Sequence, residues 1–279
     1  QIRGTRGQMS ATPPPDEGPS IYEKFAGAMA YVAVRGKDGQ EGIGSAFHVG
    51  DGVFVTARHV VEEKAIREIA TFARTHVPLE GEAAKKSLVT VRRGDKEIKV
   101  HTVEPAVLQL SAGPVFHPDP EVDVAAFKVK AIDPLTPVVP LGSHLDDWLG
   151  QDDFDLVDVV LFGFPPVPFA KGPHLVAARG QVNALIDLRH AKHVHFIVSA
   201  TPRGGFSGGL AVTDSSFALG VITQSLLDGN VPEQLGFMAV LSVEPIFVCL
   251  AEHRLLPAVQ AEAWEGFWNT ESIAYYPKG

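Results

Sequence analysis

The chain has a single cysteine, Cys249, among 279 residues, so no disulfide can form within it. That scarcity points to a reducing compartment. Set in the apolar stretch "IFVCLAE", the thiol reads as a buried structural group rather than a nucleophile. No apolar run reaches the roughly 18 residues of a membrane span, and no run of Lys or Arg exceeds two. With a net charge of −9, the chain offers no basic face for phosphates, so neither a membrane nor a nucleic acid is an expected partner. The N-terminal stretch lacks an apolar segment and a small-residue cleavage site. With Met9 as the natural start, the expected location is cytoplasmic; a signal peptide removed ahead of Gln1 would make the protein secreted instead. "TPPPDEGPS" is too polar and Pro-rich to pack, so residues 1–21 are read as a disordered tail.

What is present suits an ordinary globular protein: 45% of residues are hydrophobic and 20% charged, enough for one large domain or two halves of about 100–120 residues. "AMAYVAVRG" and "GIGSAFHVGDGVFVTARHVV" read as strands, the second folding back at "GDG". "SLVTVRRGDKEIKVHTVEPAVLQL" is a hairpin turning at Gly94–Asp95, and "EVDVAAFKVK" is a further strand. "DPLTPVVPLG" is a Pro-rich crossing that marks a boundary between halves. "DLVDVVLFGFPP", "LVAARGQVNALID" and "HVHFIVSAT" continue the strands. Helical spacing of Ile66, Ile69, Ala70 and Ala73 predicts a helix over 60–76, and "VEPIFVCLAEHRLL" predicts a second near the end. Ten or more short strands between turns make an antiparallel all-β protein, sandwich or barrel.

In "PRGGFSGGLAV" four glycines crowd around Ser207 and then give way to apolar strands, so they shape one tight loop. A serine hydroxyl needs a base. His59 lies where the strand "VFVT" meets a turn, and Asp123 opens the apolar strand "DVAAFKV". A carboxylate at the edge of a core needs a partner, and an imidazole N–H supplies one. Each feature alone has a plain structural explanation; their combination, in the order His, Asp, Ser, is what points to nucleophilic catalysis.

These segments resemble trypsin-like serine proteases of chymotrypsin fold, most closely the disulfide-free bacterial HtrA-like branch. "GIGSAFHVGDGVFVTARHVV" is similar to the histidine-bearing motif, "DVAAFKV" to the acid-bearing strand and "GGFSGG" to the nucleophile loop. "FGFPP", "ARGQVNALI" and "ALGVITQS" resemble the segments between and after them. The resemblance covers roughly residues 26–250. It implies two antiparallel Greek-key β-barrels, at 22–137 and 138–245, with the site in the cleft between them. A helix inserted after His59 and a C-terminal helix with an aromatic tail (246–279) would complete the chain. It further implies a serine endopeptidase with His59, Asp123 and Ser207 as the catalytic triad, the N–H groups of Gly205 and Ser207 as the oxyanion hole, a protein or peptide substrate and no cofactor.

Two departures matter. Phe206 stands where secreted relatives carry an aspartate that pairs with a newly cut N-terminus, so no such maturation switch is expected. An intracellular protease without one needs another restraint, a narrow substrate choice or a regulatory protein partner. After Asn230 only 49 residues remain, too few for the peptide-binding PDZ domain of HtrA-like enzymes. The specificity pocket maps onto Thr201, Thr223, Ser225 and Gly236; without a carboxylate there, small or medium apolar side chains should be preferred over basic ones.

Two alternatives stay open. One is a non-catalytic or partner-activated binding module on the protease fold. The other is an α/β-hydrolase, because Gly205, Ser207 and Gly209 also satisfy G-x-S-x-G, with His253 downstream as the base. His190, His193 and His195 in "RHAKHVHF" are read as a solvated strand edge in preference to a metal site. The tail residues Trp264, Phe267, Trp268, Tyr275 and Tyr276 are expected to pack back on a barrel.

Overall fold

The computed structural model describes residues 20–93, 95–142, 155–188, 191–200, 204–223 and 236–265. A short helix, α1 (Ile21–Phe25), opens them. Ser20 caps it reciprocally: its hydroxyl accepts the Glu23 N–H while the Glu23 carboxylate accepts the Ser20 N–H. Strands β1 (Met29–Arg35), β2 (Glu41–Gly50) and β3 (Val53–Thr56) follow, β2 folding into β3 at Asp51–Gly52 as "GDG" requires. Their side chains alternate between two cores. Ala30, Val32, Val34, Ala46 and Phe54 enter one, while Met29, Phe47, Val49, Val53 and Val55 enter the other. These strands are buried on both faces, which is why they read as nearly continuous apolar runs.

After the single turn α2 (Arg58–Val61), the chain forms β4 (Ala65–Thr71) and β5 (Thr75–Pro78), so the helix expected over 60–76 is absent. A β-bulge explains the misleading period. Val34 pairs with Ile66 but Ala33 with Glu68, so Arg67 is the extra residue and the register shifts there. Ile66 and Ile69, three apart, thereby face the same core opposite Val34 and Val32. Helix α3 (Gly81–Lys86) leads to β6 (Val89–Arg93) and β7 (Lys96–Val103), which pair with Arg93 opposite Lys96, as the hairpin reading requires. Strands β8 (Val107–Leu108), β9 (Leu110–Phe116) and β10 (Ala125–Val129) finish the first half. Its seven-stranded sheet runs β8-β4-β1-β2-β3-β10-β9, with β5-β7-β6 as a separate small sheet.

The second half comprises β11 (Asp158–Gly163), β12 (Val176–Leu188), β13 (Ala191–Ser199), β14 (Leu210–Thr213), β15 (Ala218–Ile222) and β16 (Phe237–Ser242). They close into a barrel in the order β11-β12-β13-β16-β15-β14. The all-β expectation thus holds as one closed barrel beside a curled sheet, consistent with the two-barrel fold. Every strand pairing among the described residues is antiparallel, and Ser207 leads into β14 rather than a helix. An α/β-hydrolase needs the opposite on both counts. One core cluster joins the halves, packing Phe47 and Val55 with Phe162, Leu210 and Val240.

His193 and His195 are 3% and 6% exposed, so the solvated-edge reading is corrected. Strand β13 lies between β12 and β16, and a closed barrel has no edge to solvate. His190, Phe267, Trp268, Tyr275 and Tyr276 lie outside the described residues.

Helix α4 (Val243–Glu252) forms as expected and buries Ile246, Phe247, Cys249 and Leu250. Burial pushes the Cys249 thiol up to about 12, which keeps it protonated and inert. Helix α5 (Ala258–Glu265), which includes Trp264, then returns to the first half. Its Gln260 is 1% exposed; it accepts the Leu141 N–H (2.9 Å) and donates to the carbonyls of Val49 (2.7 Å) and Val139 (2.8 Å). Replacing Gln260 with Leu strands three buried backbone groups, and denaturant unfolding should show a loss of about 3 kcal/mol or more. A change under about 1 kcal/mol would mean that these bonds contribute little.

Candidate active site

Two antiparallel neighbours position the first pair. Ala125 of β10 sits opposite Thr56 of β3, so the residues beyond them, Asp123 and the first turn of α2, meet at the same end. Ala57 stays extended and α2 begins at Arg58, leaving the His59 N–H without an intrahelical acceptor. Asp123 supplies one. Its Oδ1 accepts the His59 N–H at 2.9 Å and its Oδ2 accepts the ring Nδ1–H at 2.7 Å. Both oxygens of one carboxylate thus hold backbone and ring of one histidine, and the neutral ring is left with Nε2 as its acceptor. The side chains are about a third and a quarter exposed, open to a reactant.

The Ser207 loop is seated against the same place. Gly208 has φ +82°, and a side chain there would run into the Ser45 carbonyl, the Thr56 hydroxyl and the Ala57 N–H. The Ser207–Gly208 segment therefore lies directly on the residues leading to His59. Its far side is tied to β15, with the Gly208 N–H donating to the Ile222 carbonyl at 2.7 Å. Gly205 has φ +90° and rests on Phe164 and Pro165, where only glycine fits. Among the described residues, no acceptor receives the N–H groups of Gly205 and Ser207. Phe206 between them is 4% exposed and plugs the main core against Gly163. Among the described residues, no hydrogen bond joins His59 Nε2 to the Ser207 hydroxyl in this conformation.

Ser45 carries no weight in the sequence reading, yet it fastens this loop. It is fully buried on β2. Its N–H donates to the Ser207 carbonyl (2.8 Å), and its hydroxyl donates to the Gly205 carbonyl (2.6 Å) while accepting the Phe164 N–H (2.9 Å). Its own carbonyl accepts the Thr56 hydroxyl at 2.7 Å. The signal was visible as a lone serine inside the apolar strand "GIGSAFHV", which needs partners for its hydroxyl.

Of the pocket residues, Thr201 and Ser225 lie outside the described residues. Thr223 is buried and turns its hydroxyl to the Ala239 carbonyl at 3.3 Å; Gly236, at φ +67°, is exposed. His253 is engaged elsewhere: its Nε2 donates to the Phe116 carbonyl at 2.7 Å. Among the described residues, no group of three His, Cys, Asp or Glu is disposed to hold a metal.

A second histidine flanks the acid-bearing loop. His117, 4% exposed, donates its backbone N–H to the Val124 carbonyl and accepts the Asp119 N–H on Nδ1. The neutral ring proton is then on Nε2, which is buried without a hydrogen-bond partner. The ring meets His193 edge to face at 5.6 Å, and Arg58 donates to the His117 carbonyl. Burial first, then the like charge of His193, pushes the His117 pKa down from its ordinary 6.5 to about 4.

Two outcomes follow. Ser45→Ala leaves the Gly205 carbonyl and the Phe164 N–H with only the long bond between them (3.3 Å), and equilibrium unfolding should register a loss of about 1 kcal/mol; an unchanged midpoint would show that the hydroxyl does not hold the loop. For His117, the unfolded chain takes up a proton below pH 6.5 that the folded protein refuses until about pH 4. Stability should therefore fall with pH across that window, by on the order of 3 kcal/mol from this residue. His117→Asn, which keeps an acceptor for the Asp119 N–H, should flatten that part of the curve. Equal acid sensitivity in the variant would contradict this assignment.

The trypsin-like peptidase domain family matches residues 44–221, nearly two thirds of the chain. No curated protein sequence matches significantly. Among solved structures, the Rv3671c protease of M. tuberculosis in its active form is similar at 17% identity and TM-score 0.53, with 87% of this chain and 93% of that one covered. A variant of the HtrA-type protease AlgW with a tripeptide is similar at 16% identity and TM-score 0.53 over 85% of this chain. This chain spans 62% of that protein's length. The family match over more than half of the chain settles the assignment: the chain belongs to the trypsin-like peptidase domain family.

Proposed function

We propose that the protein is a serine endopeptidase acting through Ser207, His59 and Asp123. The observation that carries this reading is the double grip of Asp123 on His59, with the Ser207 loop packed on the two residues that precede α2. Ser207 Oγ attacks the substrate amide carbonyl while His59 Nε2 takes its proton, and the imidazolium then protonates the departing amine. Asp123 keeps the ring in the Nδ1–H tautomer and stabilises its positive charge. Water hydrolyses the acyl-enzyme by the same route. The N–H groups of Gly205 and Ser207 receive the oxyanion, each such donor lowering the barrier by roughly 3–4 kcal/mol. The hydroxyl of Ser207 closes on His59 when substrate fills the cleft, because catalytic hydrogen bonds in empty sites are often long.

The unmade bond between His59 and Ser207 also favours a second reading, in which a partner protein must bind before the triad closes. A fluorophosphonate probe separates the two. Labelling of the isolated protein at Ser207, lost in Ser207→Ala and His59→Ala but kept in His253→Ala, supports the first. Asp123→Asn should slow turnover by about 10⁴-fold, as expected of a triad left with the wrong tautomer. Labelling that survives Ser207→Ala would overturn both readings, whereas labelling only in the presence of a partner selects the second.

A further inference from the structure

The two ends of the nucleophile loop face different surroundings. Gly208 and Gly209 are bonded to Ile222 at the end of β15, beside Thr223 and the pocket expected for the acyl side of the substrate. Gly205, at the other end, rests on Phe164 and Pro165. A peptide drawn across Ser207 with its acyl half on the Thr223 side delivers its leaving-group half to the Phe164 side. There the surface is aromatic. The fully buried Phe164 ring meets Tyr31 at 5.7 Å and Phe72 at 6.3 Å, both edge to face. Phe72 in turn meets His174 at 5.3 Å.

Phe72 is 37% exposed although it packs on a buried ring, so its outer face lacks a cover. Its neighbours are held in place: the Tyr31 hydroxyl donates to Glu68, and His174 Nδ1 donates to the Gly172 carbonyl. A ring with one face to solvent, packed on the side chain of the residue whose backbone carries the Gly205 peptide, is a preorganised apolar platform.

We propose that Tyr31, Phe72 and His174 form a subsite that binds an apolar side chain on the leaving-group side of the scissile bond, within the first two residues after it. This rests on the assignment of Ser207 as the nucleophile. One extra methylene group held in an apolar site is worth about ten- to two-hundredfold in discrimination. Peptides with Leu or Phe at those positions should be cleaved at least tenfold more efficiently than the same peptides with Gly.

The test compares the wild type with Phe72→Ala, using those peptides, an ester substrate that has no residue after the reacting bond, and the fluorophosphonate probe. The expected result is a loss of at least fivefold in kcat/KM for the Leu and Phe peptides, with ester turnover and labelling of Ser207 unchanged. A second measurement uses acyl transfer: leucinamide should intercept the acyl-enzyme better than glycinamide in the wild type but not in Phe72→Ala. If labelling and ester turnover are intact while the Leu-to-Gly ratio stays the same in both proteins, the subsite proposal fails and the nucleophile assignment stands. If the wild type neither labels at Ser207 nor turns over the ester, the assignment fails and takes the subsite with it.

Discussion

Everything around the serine depends on one buried residue of the first sheet. Ser45 offers an N–H, a hydroxyl and a carbonyl, and all three are spent near the Ser207 loop. The carbonyl groups of Gly205 and Ser207 are both pinned by it, so the Gly205–Phe206 and Ser207–Gly208 peptide planes are fixed from outside the barrel that carries them. Pinning the carbonyls leaves the N–H groups of Gly205 and Ser207 uncommitted. The positive φ angles at 205 and 208 let the chain pass so close to the opposing strands. Phe206 adds an apolar anchor where charge is common among secreted relatives, so burial fastens the loop where an ion pair would otherwise be needed.

The segments proposed to bear chemistry stand out in the sequence because short-range constraints mark them. A serine among four glycines, a histidine at a strand end and an aspartate opening an apolar strand each advertise a local demand. The hairpins at Asp51–Gly52 and between Arg93 and Lys96 were legible for the same reason, since turn residues announce themselves. What escaped was whatever depends on a partner far along the chain. Ile66 and Ile69 imitate a helix because one extra residue in β4 restores them to a common face, and a bulge leaves no local signature. The buried places of His193 and His195 follow from barrel closure, which periodicity does not report. Ser45 stands out as a lone serine in an apolar strand, but its partners are fixed only when residues 160 positions later come to rest on it.

The histidines divide by environment rather than by sequence context. His59 is partly open and held by a carboxylate, which suits a base that must gain and lose a proton. His117 is sealed beside a second imidazole, which suits a ring that stays neutral. Arg58 links the two, since it neighbours His59 in α2 and donates to the carbonyls of His117 and Asp119. The loop that presents Asp123 is thus braced by a group whose protonation is costly.

The two ends of the described chain are fastened crosswise. Near the start, Tyr22 and Phe25 pack their rings on Phe162 of the second barrel, and Lys24 donates to Ser216 beyond it. Near the finish, Gln260 is bonded to Val49 of the first sheet and to Val139 after it. Each half therefore wears a strap that belongs to the other, like a parcel tied by its own two loose ends. Pulling the halves apart therefore breaks both sets of contacts as well as the core they share.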